Sequence, residues 1–184
     1  MAASAERRVR PRRPAAFLDR DGVINVDHNY VAHRGDLQWI PGAIEAIKAL
    51  NAAGYYVFVA TNQSGIARGL YSERDMHALH DYMKQKLGQS GARIDDWRYC
   101  PYHVEGTIPS FKRASDWRKP EPGMILDLMK AWPVDRAKSV LIGDKVSDIQ
   151  AGRAAGVRSL RFDGGNLLAF VRARVLGIRP RRHD

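Results

Sequence analysis

Four short stretches of this sequence hold residues able to do chemistry together: "FLDRDGV", "VATNQSG", "WRKPEPGM" and "LIGDKVSD". They supply Asp19 and Asp21, then Thr61, then Lys119, then Asp144 and Asp148. Carboxylates gathered around one point repel each other, and away from water that repulsion is tolerable only with a cation among them. Asp19, Asp144 and, as a further candidate, Asp148 therefore imply an all-oxygen cation site. Mg²⁺ suits such a site, because it takes one or two carboxylates and completes its shell with water and phosphate oxygens. Thr61 and the backbone N–H groups of "TNQSG" add donors for non-bridging phosphate oxygens. Lys119 adds a positive charge that could hold a nucleophile and a phosphate at once. A phosphoryl group fits this set better than a carbonyl.

The elements that must place these residues are written in the hydrophobic pattern. "AAFLD" and "YYVFVAT" are apolar runs of strand length, the second rich in β-branched and aromatic residues. "PGAIEAIKALNAAG" has Pro41 at its start, Gly54 past its end and a stripe of Ile44, Ile47 and Leu50, the marks of an amphipathic helix. Ser72 followed by Asp75 resembles a capping box that opens a helix to about Leu87. "WRYC" reads as a short strand, "PGMILDLMKAW" as a helix opened near Pro122, "KSVLIGD" as a strand, "VSDIQAGRAAG" as a helix and "VRSLRF" as a last strand. Such alternation predicts an α/β fold: a doubly wound, Rossmann-like, mostly parallel sheet with helices on both faces. In open parallel sheets ligands bind beyond the carboxyl ends of the strands, and three of the four polar stretches sit at such ends. An Asp after a strand also serves as a turn former or helix cap. Three clusters at equivalent strand ends, with a fourth between them, argue for a site instead.

"DRDGVIN", "TNQSG", "RKPEPGM" and "GDKVSD" together resemble the four motifs of the haloacid dehalogenase-like phosphatases. More narrowly, they are similar to the D-glycero-D-manno-heptose 1,7-bisphosphate phosphatases and the related histidinol-phosphate phosphatases, over about Ala15 to Phe162. The resemblance implies a phosphomonoester hydrolase acting on a small phosphorylated sugar, with Asp19 as nucleophile and an aspartyl-phosphate intermediate. Asp21 would protonate the leaving alkoxide and then take a proton from the attacking water. Two residues apart on an extended strand end, the two side chains point to the same side. Mg²⁺ would bind Asp19, the backbone carbonyl of Asp21 and Asp144. Thr61 and Lys119 would hold the phosphoryl oxygens, with Asn62 helping to place the substrate or the nucleophile. Asp148 would orient Lys119 or a metal-bound water, or simply stabilise a helix N-terminus.

Neither loop between these motifs is long enough for a separate cap domain, so "NVDHNYVAHRGD" and "CPYHVEGTIPSFKRASDWRK" should wall the site. By resemblance Asp27, His28, Asn29 and Tyr30, then Gln63, Ser64, Arg118 and Lys145, would contact the substrate, and Arg118 could grip a second phosphate bidentately. His28 and His33 also fit ordinary surface positions. Many heptose-bisphosphate phosphatases hold a structural zinc through Cys-x-His and a later Cys-x-Cys. The matching positions here are Cys100, Tyr102, Ser115 and Trp117, one soft ligand where a closed zinc site needs four N or S donors. His103 is displaced by one residue. Zinc is therefore not expected, and packing of Tyr102, Phe111 and Trp117 is expected to staple the loop.

Composition bounds the remaining possibilities. The 184 residues are 45% hydrophobic, with one cysteine and a formal charge of +10. No internal disulfide can form, and no apolar run approaches the roughly 18 residues of a membrane span. A soluble, cytoplasmic monomer is expected. The arginine-rich "MAASAERRVRPRRP" lacks the apolar stretch of a secretory signal. Residues 1–14 and 171–184 carry eight of the ten net charges and read as basic tails flanking one domain, 15–170, the first of them disordered. Such tails can attract nucleic acid or anionic membrane, and a nucleic-acid-associated protein is the reading from a different class. No zinc-finger, RNP or helix-turn-helix pattern accompanies them, so no specific nucleic acid or membrane partner is expected.

Overall fold

The computed structural model describes residues 12–178. Its centre is β1 (Ala15–Leu18), whose four residues are all buried. Alternation along that strand sends Ala16 and Leu18 to one face of the sheet and Ala15 and Phe17 to the other, as the two-residue period of a strand requires. Both faces must therefore be covered. The first is covered by α1 (Ala43–Ala52), α2 (Glu73–Gln89) and α5 (Leu167–Arg174), through Ile47, Leu50, Leu79, Met83, Leu167 and Val171. The second is covered by α3 (Gly123–Ala131) and α4 (Val146–Ala154), through Met124, Ile125, Leu128 and Ala151.

The sheet has five strands, β1 with β2 (Tyr56–Asn62), β3 (Asp96–Cys100), β4 (Val140–Gly143) and β5 (Arg158–Arg161). Their order is β3-β2-β1-β4-β5 and every pairing is parallel. The doubly wound α/β architecture expected from the pattern is thus present. The chain works outward from β1 to β2 and β3, then crosses to β4 on the other side. The reversal falls between β1 and β4, where the loops diverge and leave a crevice at the strands' carboxyl ends. Leu18 pairs with Val59 and Ile142, so the residue after it emerges between the ends of β2 and β4.

Local chemistry accounts for the element ends. Ser72 Oγ accepts from the Asp75 backbone N–H at 3.2 Å and Asp75 Oδ2 accepts from the Ser72 N–H at 2.9 Å, closing the capping box at α2. Three short 3₁₀ turns, Arg34–Asp36, Pro109–Phe111 and Arg136–Lys138, lie in the connections.

Two features depart from the sequence reading. Helix α5 carries the folded chain beyond residue 170, where the tail was expected to begin. Asn166 caps it by accepting from the Ala169 N–H at 3.0 Å, Val171 is fully buried, and Phe170 meets Phe162 edge-on at 5.3 Å. The arginines that suggested a tail, Arg172 and Arg174, lie on its exposed side. At the other end Arg13 pairs with Val134, and Pro14 accepts from the Tyr56 N–H, so ordered pairing begins before residue 15. The rest of both basic segments, 1–11 and 179–184, lies outside the described residues. Among the described residues no helix is long and apolar enough to cross a membrane.

Candidate active site

Asp19 is the first residue past β1 and Asp144 the first past β4, so both open into the crevice between those strands. Asp148 stands in the first turn of α4. One carboxylate oxygen from each of the three lies within 4.8 Å of the other two. Backbone geometry allows this approach: Gly22 has φ 85°, and a Cβ there would sit 2.3 Å from Asp144 Oδ2. Only glycine is comfortable in that conformation and at that distance.

Lys119 reaches the cluster from the loop before α3. Its ammonium forms ion pairs with Asp19 Oδ1 at 2.9 Å and Asp148 Oδ1 at 2.6 Å and donates to the Ala60 carbonyl at 2.7 Å. Its backbone is clamped by Asn62, which donates to the Lys119 carbonyl and accepts from the Lys119 N–H, each at 3.0 Å. Asp148 Oδ2 accepts from the Lys145 backbone N–H at 2.9 Å. Asp148 is therefore engaged by Lys119 on one oxygen and by the start of α4 on the other, and Asn62 faces Lys119 with both ends of its amide.

Burial sets the electrostatics. It pushes the Asp19 carboxyl up to about 7, against the pull of Lys119 and with added push from Asp148 and Asp21. Burial likewise raises Asp144, which Lys145 partly counters and Asp148 reinforces. Burial alone would lower Lys119, but Asp19 and Asp148 outweigh it and hold the lysine above its ordinary value. One ammonium thus leaves three carboxylates under-compensated. Asp144 Oδ1 is buried and accepts no hydrogen bond among the described residues. These hard oxygens, one of them orphaned, fit a magnesium ion.

Asp21 lies beside this cluster and is bound on both oxygens. Arg20 donates to Oδ1 from Nε at 3.1 Å and from Nη2 at 2.9 Å, and Nη2 also reaches Oδ2 at 2.9 Å. Asn25 donates to Oδ1 at 2.9 Å and Gln63 to Oδ2 at 3.0 Å. Gln63 also donates to Thr61 Oγ1 at 2.9 Å and accepts from the Tyr71 hydroxyl at 2.6 Å. Thr61 and Gln63 are both buried, whereas Ser64 is only partly so.

The remaining predicted contacts form a rim. Asp27 pairs with Lys145 at 2.9 Å, which holds the carboxyl low and the ammonium high despite the opposing effect of burial. His28 meets Gln38 at 3.1 Å, and Asn29 donates its N–H to Asp27. Asn29 and Tyr30 both adopt positive φ, 63° and 60°, rare for residues with side chains. Burial lowers Arg118, aided by Arg68, and Arg118 Nη1 is buried without a partner among the described residues. At the family's zinc positions Cys100 is buried, and Tyr102 lies 6.0 Å from Phe111 with Arg113 stacked 3.9 Å over its ring. Trp117 packs on the α3 side of the sheet.

Sequence reasoning passed over Arg20, Asn25, Tyr71 and His80. Arg20 was visible inside "DRDG", but nothing in its type announces a guanidinium that is 0% exposed.

A carboxylate-lined crevice at the reversal point of a parallel sheet, with a buried lysine spanning two of its acids, defines a Rossmann-like hydrolase of phosphoryl groups. The HAD-hydrolase-like family model matches residues 116–168. The D-glycero-beta-D-manno-heptose-1,7-bisphosphate 7-phosphatase of Rhodopseudomonas palustris is 58% identical over 162 residues, covering 88% of this chain and 90% of that one. The Vibrio cholerae protein of the same name is 48% identical, over 79% of this chain and 78% of its own. The crystal structure of D,D-heptose 1,7-bisphosphate phosphatase from B. bronchiseptica, complexed with magnesium and phosphate, superposes with a TM-score of 0.75 at 34% identity, covering 90% of this chain and 86% of that one. The chain belongs to the haloacid dehalogenase-like phosphatases and is a phosphomonoester hydrolase.

Proposed function

We propose that this enzyme removes the 7-phosphate of D-glycero-D-manno-heptose 1,7-bisphosphate, with Mg²⁺ bound and Asp19 as nucleophile. The observation that carries the chemistry is the asymmetric engagement of Asp19. The Arg20 N–H at 2.8 Å and Lys119 at 2.9 Å both hold Oδ1, which leaves Oδ2 to attack phosphorus. Substrate identity rests on the relatives, 58% and 48% identical, that carry this name.

Asp19, Asp144 and the backbone carbonyl of Asp21 would hold the Mg²⁺, which when bound neutralises the cluster and the phosphate oxygens. Lys119 and Thr61 bind non-bridging oxygens of the phosphoryl group. As the Asp19 oxygen bonds to phosphorus, the bond from phosphorus to the sugar oxygen breaks, and Asp21 gives its proton to that oxygen. Water then attacks the aspartyl-phosphate and loses a proton to Asp21, releasing inorganic phosphate and restoring both carboxyls. Asp148 keeps Lys119 in place. Asp27, His28, Asn29, Tyr30, Ser64, Arg118 and Lys145 form the sugar-binding rim, with Arg118 free to grip the phosphate that is not hydrolysed.

A substrate panel tests this reading. Purified enzyme with Mg²⁺ is offered the heptose bisphosphate, histidinol phosphate and p-nitrophenyl phosphate, and products are identified by phosphorus NMR. The heptose bisphosphate should give the highest kcat/KM and a product that retains the 1-phosphate. Preference for histidinol phosphate, or loss of the 1-phosphate, would overturn it.

A further inference from the structure

We propose that Arg20 and His80 are positioning residues for proton transfer, holding the Asp21 carboxyl where it can serve the leaving group. The inference rests on the acid–base reading of Asp21 given above and extends it to two side chains outside the reacting centre.

Arg20 is fully buried, and each nitrogen of its guanidinium has an anchor. Nε and Nη2 grip Asp21, Nη2 also donates to the Val31 carbonyl, and Nη1 lies 3.1 Å from His80 Nε2. A guanidinium can only donate. The contact with His80 is therefore bonding only if Nε2 carries no proton, which fixes the ring as the neutral tautomer protonated on Nδ1. Burial supports the same state, pushing His80 down to about 2, with Arg20 adding to the effect. The imidazole is itself held from behind by Trp97, whose ring lies 4.5 Å away and tilted by 31°. A chain of fixed geometry thus runs from Trp97 on β3 through His80 on α2 to Arg20 and then Asp21 at the end of β1.

His80, being neutral, acts on the direction of the fork rather than on charge. A fork-shaped donor defines the plane and azimuth of a carboxylate far more tightly than a single donor does. Asn25 and Gln63 supply one bond each to Asp21, and Arg20 supplies the fork. If His80 stops accepting from Nη1, the fork keeps only its Val31 anchor and Asp21 is held less tightly in its orientation. Asp19, Lys119 and Asp144 are untouched. In kcat/KM, which covers the steps only as far as departure of the leaving group, the cost then falls on substrates whose leaving oxygen must be protonated; the later water step, common to all substrates, does not enter it.

That selectivity separates a positioning role from simple packing. His80→Phe retains a ring against Trp97 but removes the acceptor, whereas His80→Gln retains an acceptor. Each is assayed, as folded full-length enzyme, on the best alkyl phosphate of the substrate panel and on p-nitrophenyl phosphate, whose leaving group needs no proton. His80→Phe should lower kcat/KM on the alkyl phosphate about tenfold and leave kcat/KM on the aryl phosphate within about twofold. His80→Gln should stay close to wild type on both. Arg20→Lys, which keeps the charge but loses the fork, should lower kcat/KM on the alkyl phosphate more than on the aryl phosphate and covers the case in which that variant does not fold. Equal losses of kcat/KM on both substrates, or no loss on the alkyl phosphate, would overturn the inference. Asp21→Asn, run beside them, tells the two failures apart: an active Asp21→Asn enzyme removes the acid–base reading itself, while an inactive one beside unaffected His80 and Arg20 variants removes only the positioning role.

Discussion

Lys119 Nζ sits between Asp19 and Asp148, 2.9 Å from one carboxylate and 2.6 Å from the other. Both acids are buried, so neither can find water if the ammonium is removed. Replacing one member of a buried ion pair costs about 3 to 5 kcal/mol because the remaining charge is stranded. Lys119→Met is therefore expected to lower the melting temperature measurably at pH 7.5 and to reduce kcat by about 10³-fold, a loss of the size seen when one electrostatic contact to a developing transition state is deleted. Thermal melts and steady-state kinetics check both outcomes. A variant as stable as wild type would mean that the two acids are not both ionised around the lysine.

Asp144 differs from these neighbours in having a buried oxygen, Oδ1, with neither a hydrogen bond nor an ion pair among the described residues, whereas Asp148 Oδ1 is paired with Lys119. In the absence of a cation its charge adds repulsion to the cluster, which burial and Asp148 express as a raised carboxyl. Asp144→Asn should accordingly melt at the same temperature as wild type or higher in EDTA. It should lose the rise in melting temperature that millimolar Mg²⁺ gives the wild type, since a ligand that binds only the folded state stabilises it in proportion to its occupancy. Differential scanning fluorimetry with and without Mg²⁺ reads both effects. An undiminished Mg²⁺ response would exclude Asp144 as a ligand.

Gly22 controls the distance between Asp144 and the end of β1. Alanine there would adopt φ 85° and place its Cβ 2.3 Å from Asp144 Oδ2, so either the turn or the carboxylate must move. Gly22→Ala is expected to destabilise the fold by about 1 to 3 kcal/mol and to weaken the Mg²⁺ response more than it weakens the fold. Magnesium titrations followed by melting temperature measure this. A variant with normal magnesium affinity would show that the turn has slack.

Much of this architecture was legible because its signals are local. Apolar runs such as "YYVFVAT", the Ser72 and Asp75 box and the Pro41 to Gly54 helix declare themselves within a few residues, and the observed elements fall within about two residues of those patterns. Asp19, Thr61 and Asp144 could be grouped because each lies at or just past the end of a strand of a parallel sheet, which brings its carboxyl ends together, and Lys119 joined them from a polar stretch just before a helix. What stayed hidden depends on burial and on contacts distant in sequence. Arg20 and His80 are sixty positions apart and look like surface residues by type. Helix α5 was masked by its arginines, because charge was read as composition when its placement on one exposed side was what mattered. The side chain of Asn62 lies among the motif residues, yet only the structure reveals that both ends of its amide bind the backbone of Lys119.

His80 gives a prediction that needs no substrate. Burial holds the folded imidazole neutral down to about 2, whereas its ordinary value is 6.5. Between those values the unfolded chain takes up a proton that the folded chain does not, so acid favours unfolding. The stability that His80 contributes is fully present above pH 6.5 and is lost progressively as pH falls below it, at about 1.4 kcal/mol for each pH unit. At pH 5 the accumulated loss is about 2 kcal/mol, a substantial share of a small domain's stability. Other groups titrate over this range, and comparison with His80→Gln removes their shared contribution, since glutamine keeps an acceptor for Arg20 and binds no proton. Urea unfolding at pH 7.5 and pH 5 should find wild type losing about 2 kcal/mol more than His80→Gln over that interval. Parallel losses in the two proteins would mean that the folded imidazole takes up its proton as readily as the unfolded one, and that its bond from Arg20 does not hold it neutral.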